Sequence, residues 1–421
     1  MKQRLFEALE QNYDRITKIG DDLFEHPEIG FFENETERII CEYLDQLNVT
    51  YQNHICRHGV MCTLGEGSYH IAVLADMDAL LTQMDGKTVP FHSCGHSIQV
   101  TVLLNLITGW VKSGLLDEVD GKITFLFTPA EEYIDLETRK KLKEQGQITY
   151  YSGKQNLIAQ GLFDSFDVVL SCHVMGPNPK NPKAKFDMNS TLAGFLHKEI
   201  EYHGLAAHAG VIPHLGRNAL LAANLSLNAI QMLKDTFSPE AGARVFPILT
   251  EGGTTANTIC DYAKIETYLR IIDEEELLKI NAQITNACEH CALALETECV
   301  VKDTNGYLPL RQNQELTELV HQNMLTLCEE SEIIKDVVSG ASGDIGDVSF
   351  LIPTIQFGFS GIEGNVHSTE FKIVDKKHCY EATAKVLGGV ILDLLTQNEL
   401  QVRKEGYKEK KEFYMTQWLQ A

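Results

Sequence analysis

HIAVLADMDAL, residues 70–80, is a short apolar run that ends in two acids, Asp76 and Asp78. A run this short, rich in aliphatic residues and preceded by the turn-like LGEGSYH, reads as a buried strand. The pattern returns twice. GKITFLFTPAEE (121–132) ends in Glu131 and Glu132, and FDVVLSCHV (166–174) ends beside His173. The stretch from Gln99 to Val111 reads as a buried helix. Apolar strands separated by helical segments indicate an α/β fold whose sheet is covered on both faces. In such sheets, chemistry gathers beyond the carboxyl ends of the strands. Asp76, Asp78, Glu131, Glu132 and His173 all fall at such positions. The repetition carries more weight than any one residue.

Working outward, residues 1–50 read as mostly helical. EHPEIGF, from Glu25, interrupts them, and NETERIICEYLDQL (34–47) resumes an amphipathic period. The character changes near residue 190. GFLHKEIEYHGLAAHAG alternates like an antiparallel strand, NALLAANLSLNAIQML (218–233) is helical, and RVFPILTEGG and AKIETYLRII read as two strands. A further helix spans 274–295. This αβ block is expected to be a second domain, 191–305, inserted into a discontinuous first domain formed by 1–190 and 306–421. SFLIPTIQFGF (349–359) is expected to complete the first sheet, and 376–397 to form a closing helix.

At 421 residues the chain is too long for one comfortable core, so two domains are the natural expectation. The net charge of -23 argues against nucleic acid, which needs a basic surface. The N-terminal MKQRLFEALEQNYDRI has no apolar run of signal-peptide length, and the richest apolar stretches are too short to span a bilayer. Eleven cysteines, an odd number, fit a reducing, cytoplasmic setting better than a disulfide framework.

FHSCGHSIQV (91–100) holds the densest chemistry. Cys94 and His96 supply a thiolate and an imidazole. Glu131 or Glu132, His173 and His367 in GNVHSTEF are further donors of suitable type for zinc or manganese. The donors are scattered one to an element, which suits a catalytic site on a sheet better than a small structural zinc site. Each also has a plainer reading: strand-end or surface histidines, turn-forming acids, or a solvated pair at Glu131–Glu132. If the chain turns at that pair, one carboxylate can ligate a metal while the other takes a proton, as metal-assisted hydrolysis requires. A rival reading makes Cys94 a nucleophile with His96 as its base, but it leaves the carboxylates without a role.

The segments LADMDAL (74–80), HSCGHS (92–97), TPAEE (128–132), CHVMGP (172–177), GLAAHAGVIPHLGRNAL (204–220), EGGTTANTI (251–259), SGDIGDVS (342–349) and NVHSTEF (365–371) resemble, in order, the M20 metallopeptidase family. The resemblance is to its amidohydrolase branch of aminoacylases, hippurate hydrolases and aminobenzoyl-glutamate hydrolases. It implies a sheet-based catalytic domain holding two divalent ions, zinc or manganese, and an inserted lid that often dimerises. The implied ligands are Cys94, His96, Glu132, His173 and His367, with Cys94 shared. Glu131 would be the general base and Asp78 would orient the site from behind. His208 on the lid would polarise the substrate carbonyl, and Asn257 would bind substrate. Arg217 and Arg270 are the candidate clamps for a substrate carboxylate.

The implied function is metal-dependent cleavage of an amide in an N-acyl or aminobenzoyl amino acid with a free carboxylate. A dipeptidase is the nearest alternative, and a silent ligand-binding protein the alternative of a different class. The expected partners are a small amide or dipeptide and a second copy of the chain, with no nucleic acid and no membrane. Three positions depart from the family pattern: Ser97 replaces the acid of the common C-G-H-D, Leu81 a proline, and Cys260 another proline.

Overall fold

The computed structural model describes residues 1–84 and 86–419. In chain order, helices α1 (Lys2–Gln11), α2 (Tyr13–Glu25) and α3 (Asn34–Gln46) precede strands β1 (Tyr51–Ile55), β2 (Gly59–Leu64), β3 (His70–Asp76), β4 (Leu80–Met84) and β5 (Lys87–Phe91). Then follow α4 (His96–Ser113), β6 (Lys122–Thr128), α5 (Leu136–Glu144), α6 (Gly153–Ala159), β7 (Val168–Val174) and β8 (Phe186–Met188). Strand β9 (Gly194–His203), α7 (Ala219–Lys234), β10 (Arg244–Val245), β11 (Ile248–Glu251), β12 (Tyr262–Ile271), α8 (Glu274–Ala294) and β13 (Glu298–Asn305) form a contiguous block. Helix α9 (Gln314–Met324), β14 (Ile333–Lys335), α10 (Ile345–Leu351), β15 (Thr354–Phe359) and α11 (Thr383–Thr396) follow that block.

The chain divides into two compact units. The first comprises Met1–Thr191, Arg311–Val338 and Asp347–Glu412. The second comprises Leu192–Leu310, Ser339–Gly346 and the C-terminal segment from Phe413. The second unit therefore takes two separate segments, 339–346 and that from Phe413, besides residues 306–310, from the 306–421 stretch that the sequence reading kept whole. Backbone bonds hold the first of them: Ala193 donates to the Ala341 carbonyl at 2.7 Å.

The first unit is built on an eight-stranded sheet in the order β1-β2-β6-β3-β7-β15-β8-β14. Its centre is parallel, from β6 through β3 and β7 to β15, but β2 runs against β6 and β8 against β15. The sheet is thus mixed at its edges. Apart from their first residues, β3 and β6 are buried along their whole length, as a sheet covered on both faces requires. Helix α4 is buried from His96 to Trp110, so it carries apolar residues all round instead of one stripe. Each buried Leu or Ile on it contributes about 1.5–3 kcal/mol relative to exposure. A buried polar chain ties the helices: Asn12 donates to Tyr43 at 2.9 Å and to Asn105 at 3.0 Å.

Two local expectations are corrected. Residues 349–359 are not one strand. Helix α10 runs to Leu351, and Pro353, which cannot extend a helix, precedes β15. Helix α4 begins at His96, not Gln99, because Gly95 takes a left-handed conformation (φ 81°) and starts it directly.

In the second unit, β9 is paired antiparallel on both sides, with β12 and with β13. Burial alternates along it, and helices α7 and α8 pack against the sheet. The half-buried positions carry charge ladders, such as Lys264 with Glu199 at 2.6 Å and Lys302 with Glu201 at 2.7 Å.

Candidate metal centre

The carboxyl ends of β3, β6 and β7 and the start of α4 converge within the first unit. At Gly95 a Cβ would lie 2.5 Å from Val174 Cγ1, so only glycine fits there. The turn presents Cys94 on one side and His96, wholly buried in the first turn of α4, on the other. Beyond β3, Asp78 is also fully buried. His96 Nδ1 lies 2.8 Å from the Asp78 carbonyl and 3.2 Å from its Oδ1. That places the imidazole proton on Nδ1 and turns Nε2 outward as a lone-pair donor.

The Asp78 carboxylate also accepts the N–H groups of Glu131 and Glu132, at 3.1 and 3.0 Å. Strand β6 has already ended at Thr128, and Ala130 is left-handed (φ 55°). This turn lets two adjacent glutamates reach one region, which a continuing strand would forbid.

The donor atoms fall into three overlapping groups, each within 4.8 Å: Cys94, His96 and His173; Cys94, Glu132 and His367; and His96, Glu131 and Glu132. Cys94 Sγ lies 3.5 Å from His173 Nε2 and 3.3 Å from His367 Nε2. His367 Nε2 lies 3.5 Å from Glu132 Oε1, and His96 Nε2 lies 3.8 Å from Glu131 Oε2. His173 Nδ1 bonds the Val174 carbonyl at 2.8 Å, which leaves Nε2 as the lone-pair donor. His367 holds a left-handed backbone (φ 65°), unusual away from glycine and common at functional positions. Its amide is pinned to the Ser93 carbonyl at 2.8 Å.

The donor chemistry fits divalent cations. His96 Nε2 and Glu132 Oε1 are buried and make no hydrogen bond, although each faces other donors. Burial, followed by the neighbouring Glu132 charge, pushes the Cys94 thiol well above its usual range. Burial and then His96 lower His173 to about 4, so its imidazole stays neutral, the form a ligand needs. Thiolate, imidazole and carboxylate together match zinc, and the carboxylate–imidazole part also suits manganese.

Asp76 is structural. It pairs with the buried Lys154 and accepts the Thr128 hydroxyl at 2.6 Å. Burial alone would raise its carboxyl, but Lys154, His96 and the Thr128 hydroxyl together more than offset this and hold it below the ordinary range. Ser97 is buried with no hydrogen-bond partner for its hydroxyl, and nothing in the structure explains it in place of an acid.

His208, Asn257, Arg217 and Arg270 belong to the second unit. The Gly210 N–H donates to His208 Nδ1 at 3.2 Å. The Asn257 side-chain Nδ2 lies 3.4 Å from His208 Nε2, so the sequence-named pair does meet. Arg270 bonds Ser342 Oγ at 3.0 Å and stacks over Phe195. Arg217 is half exposed, with Glu296 at 3.6 Å. Helix α8 does carry one C-x-x-C pair, Cys288 and Cys291, but no group of three metal donors forms there among the described residues.

A family model described as Peptidase family M20/M25/M40 matches residues 72–393. The chain belongs to that family. The M20 match takes in every donor of the cluster and makes this chain a metal-dependent hydrolase of amide bonds. Among curated relatives, a p-aminobenzoyl-glutamate hydrolase component of Escherichia coli is 26% identical over 72% of this chain, which spans 61% of that relative. The Xaa-Arg dipeptidase of Homo sapiens is 25% identical over 97% of this chain and 91% of its own length. N-acetyldiaminopimelate deacetylase of Streptococcus pneumoniae is 27% identical over 70% of this chain and 77% of its own. The fold matches a putative aminohydrolase of methicillin-resistant Staphylococcus aureus (TM-score 0.79, 22% identity, 94% and 100% covered). It also matches a Bacillus subtilis dinuclear metal binding peptidase from the M20 family (TM-score 0.72, 18% identity, 92% and 99% covered).

Four residues beside this M20 centre escaped the sequence reading: Glu28, Glu33, Arg139 and Lys154. Glu28, Glu33 and Arg139 bond backbone groups, and Lys154 pairs with an acid distant in the chain, relationships that no motif records. The glycine and proline of EHPEIGF were the one available signal.

Proposed function

We propose that this chain hydrolyses the amide bond of an N-acyl or aminobenzoyl amino acid with a free carboxylate. The observation that carries the reading is the buried donor cluster around Cys94 with Glu131 beside it. Relatives named for aminobenzoyl-glutamate hydrolysis and for deacetylation of an N-acetyl amino acid support the substrate class.

In this reading, Cys94, His96 and His173 hold one divalent ion, and Cys94, Glu132 and His367 hold a second, as zinc or manganese. Such ions, when bound, supply Lewis acidity to the scissile carbonyl and acidify the attacking water. Glu131 takes the proton from that water and returns it to the leaving amine. Asp78 keeps the His96 proton on Nδ1. His208 helps polarise the carbonyl oxygen as charge develops there. Asn257 contacts the substrate, and Arg217, the less engaged of the two arginines, is the better candidate for the carboxylate. The first unit is then the catalytic domain and the inserted second unit the lid.

A dipeptidase reading is favoured by one specific observation: the human Xaa-Arg dipeptidase matches almost the whole chain. The lid is also proposed to pair with a second copy. Leu221 and Met232 on α7, Phe246, and Ile248 on β11 are all more than half exposed, beside the open edge of β11. A cytoplasmic location is proposed from eleven cysteines that are all free thiols. Among the described residues, no helix is long and apolar enough to cross a membrane.

The test is release of free amine by enzyme stripped of metal and reloaded with zinc or manganese. The panel holds N-acyl amino acids, aminobenzoyl-glutamate and Xaa-Arg dipeptides. Cleavage of acyl or aminobenzoyl amino acids supports the first reading. Cleavage of dipeptides alone selects the second, and no cleavage with either metal refutes both.

A further inference from the structure

The segment EHPEIGFFENE (25–35) supplies no metal donor, yet it reaches the turn that carries Glu131 and Glu132. Helix α3 starts at Asn34, and its N-cap residue, Glu33, makes no side-chain cap bond. Glu28 caps the helix instead, accepting the Glu35 N–H at 2.9 and 3.0 Å and the Thr36 N–H at 2.9 Å. The Glu33 carboxyl is thereby released into the interior, where it is wholly buried. Its Oε1 accepts the Ala130 N–H at 2.8 Å. The next two amides bond the Asp78 carboxylate. Three successive N–H groups of one turn are therefore held by two acids from two other parts of the chain.

That turn needs holding. Ala130 is left-handed, a conformation unfavourable by roughly 1–2 kcal/mol for a residue with a Cβ. The surroundings are closed against relaxation. A Cβ at Gly30 would lie 2.7 Å from Ala130 Cα, and the Gly153 N–H bonds the Ala130 carbonyl at 3.1 Å. On the far side, Arg139 bonds the carbonyls of Glu132 and Tyr151.

We propose that Glu33 is a positioning residue of the hydrolytic centre: its grip on the Ala130 amide fixes the turn that aims Glu131 toward His96 and Glu132 toward Cys94 and His367. The inference rests on Glu131 and Glu132 being the base and a ligand. Burial, followed by the neighbouring Asp78, raises the Glu33 carboxyl to about 8, so it serves at neutral pH as a neutral acceptor.

The experiment compares Glu33→Met, which fills the space without an acceptor, with Glu33→Gln, which keeps a neutral acceptor. Metal affinity is read by titrating stripped protein with Mn2+ or Zn2+, and kcat and KM are read separately on a substrate the wild type cleaves. Glu33→Met is expected to weaken metal binding about tenfold and to lower kcat about 100-fold at nearly constant KM. Glu33→Gln is expected to stay within about threefold of wild type in both, since the acceptor survives. A folded Glu33→Met with wild-type metal affinity and kcat overturns the proposal. So does a folded Glu33→Gln as impaired as Glu33→Met. If Glu33→Met does not fold, Glu33→Gln decides alone: near-wild-type values support the proposal and a tenfold loss refutes it. If the wild type cleaves nothing on the panel, the functional reading fails by itself, and the metal affinities still decide this one.

Discussion

Asp78 grips His96 twice, through its carbonyl at 2.8 Å and its carboxylate at 3.2 Å from the same ring nitrogen. One buried acid thus sets the tautomer of a donor histidine and also holds the amides of Glu131 and Glu132. Replacing Asp78 with Ala leaves only the carbonyl contact to the ring and deprives the Glu131 and Glu132 N–H groups of their acceptor. Metal affinity is expected to fall about 10–100-fold. Calorimetric titration of stripped protein checks this, and unchanged affinity would remove Asp78 from the centre.

Glu131 Oε2 lies 3.8 Å from His96 Nε2, and the residue is only half-buried. Glu131→Gln keeps the shape and removes the proton acceptor. It is expected to bind metal normally while turnover falls by about 10²–10⁴. Metal content by elemental analysis, set beside single-turnover rates, tests the split. Retained turnover would require a different base.

Cys94 is the one soft donor in the cluster and takes part in two of its three groups. Cys94→Asp keeps an anionic donor but replaces sulfur with oxygen. Zinc affinity is expected to drop by more than manganese affinity, shifting the preference toward manganese. Competitive titration with both metals reads the ratio, and an unchanged ratio contradicts a ligand role for Cys94.

Gly153 abuts the Pro129 carbonyl so closely that a Cβ would lie 1.7 Å from the oxygen. Gly153→Ala must push the Pro129–Ala130 turn aside. A loss of about 1–3 kcal/mol in stability is expected from such overpacking, with metal affinity falling in parallel. Urea unfolding of the variant checks the first and titration the second.

Glu33 gives a pH dependence with a definite sign. Its carboxyl is raised from 4.5 to about 8, so between those values the folded chain holds a proton that the unfolded chain has released. Folding stability drawn from this group therefore falls as pH rises through that window, by on the order of a few kcal/mol. Glu33→Gln does not titrate. At fixed metal occupancy its stability relative to wild type is expected to be greater at about pH 8 than at about pH 5. Denaturant midpoints at the two pH values that differ equally from wild type would sink the assignment.

The sequence alone determined the alternation of apolar strands with helices, the inserted αβ block, and the donor residue types at strand ends. These depend on local periodicity and on residue chemistry, both carried by neighbours in the chain. The separate residues of HSCGHS, TPAEE, CHVMGP and NVHSTEF could be named before any contact was known. Only the folded arrangement showed that Cys94 faces both His173 and His367, that Asp76 pairs with Lys154, and that Asp78 meets His96 through both its carbonyl and its carboxylate. It alone exposed Glu28 and Glu33, whose partners are backbone amides. An amide looks the same at every position of a sequence. Which one a buried carboxylate meets depends on left-handed residues such as Ala130 and on glycines that admit close approach, and Glu33 and Ala130 meet although they are 97 positions apart in the chain.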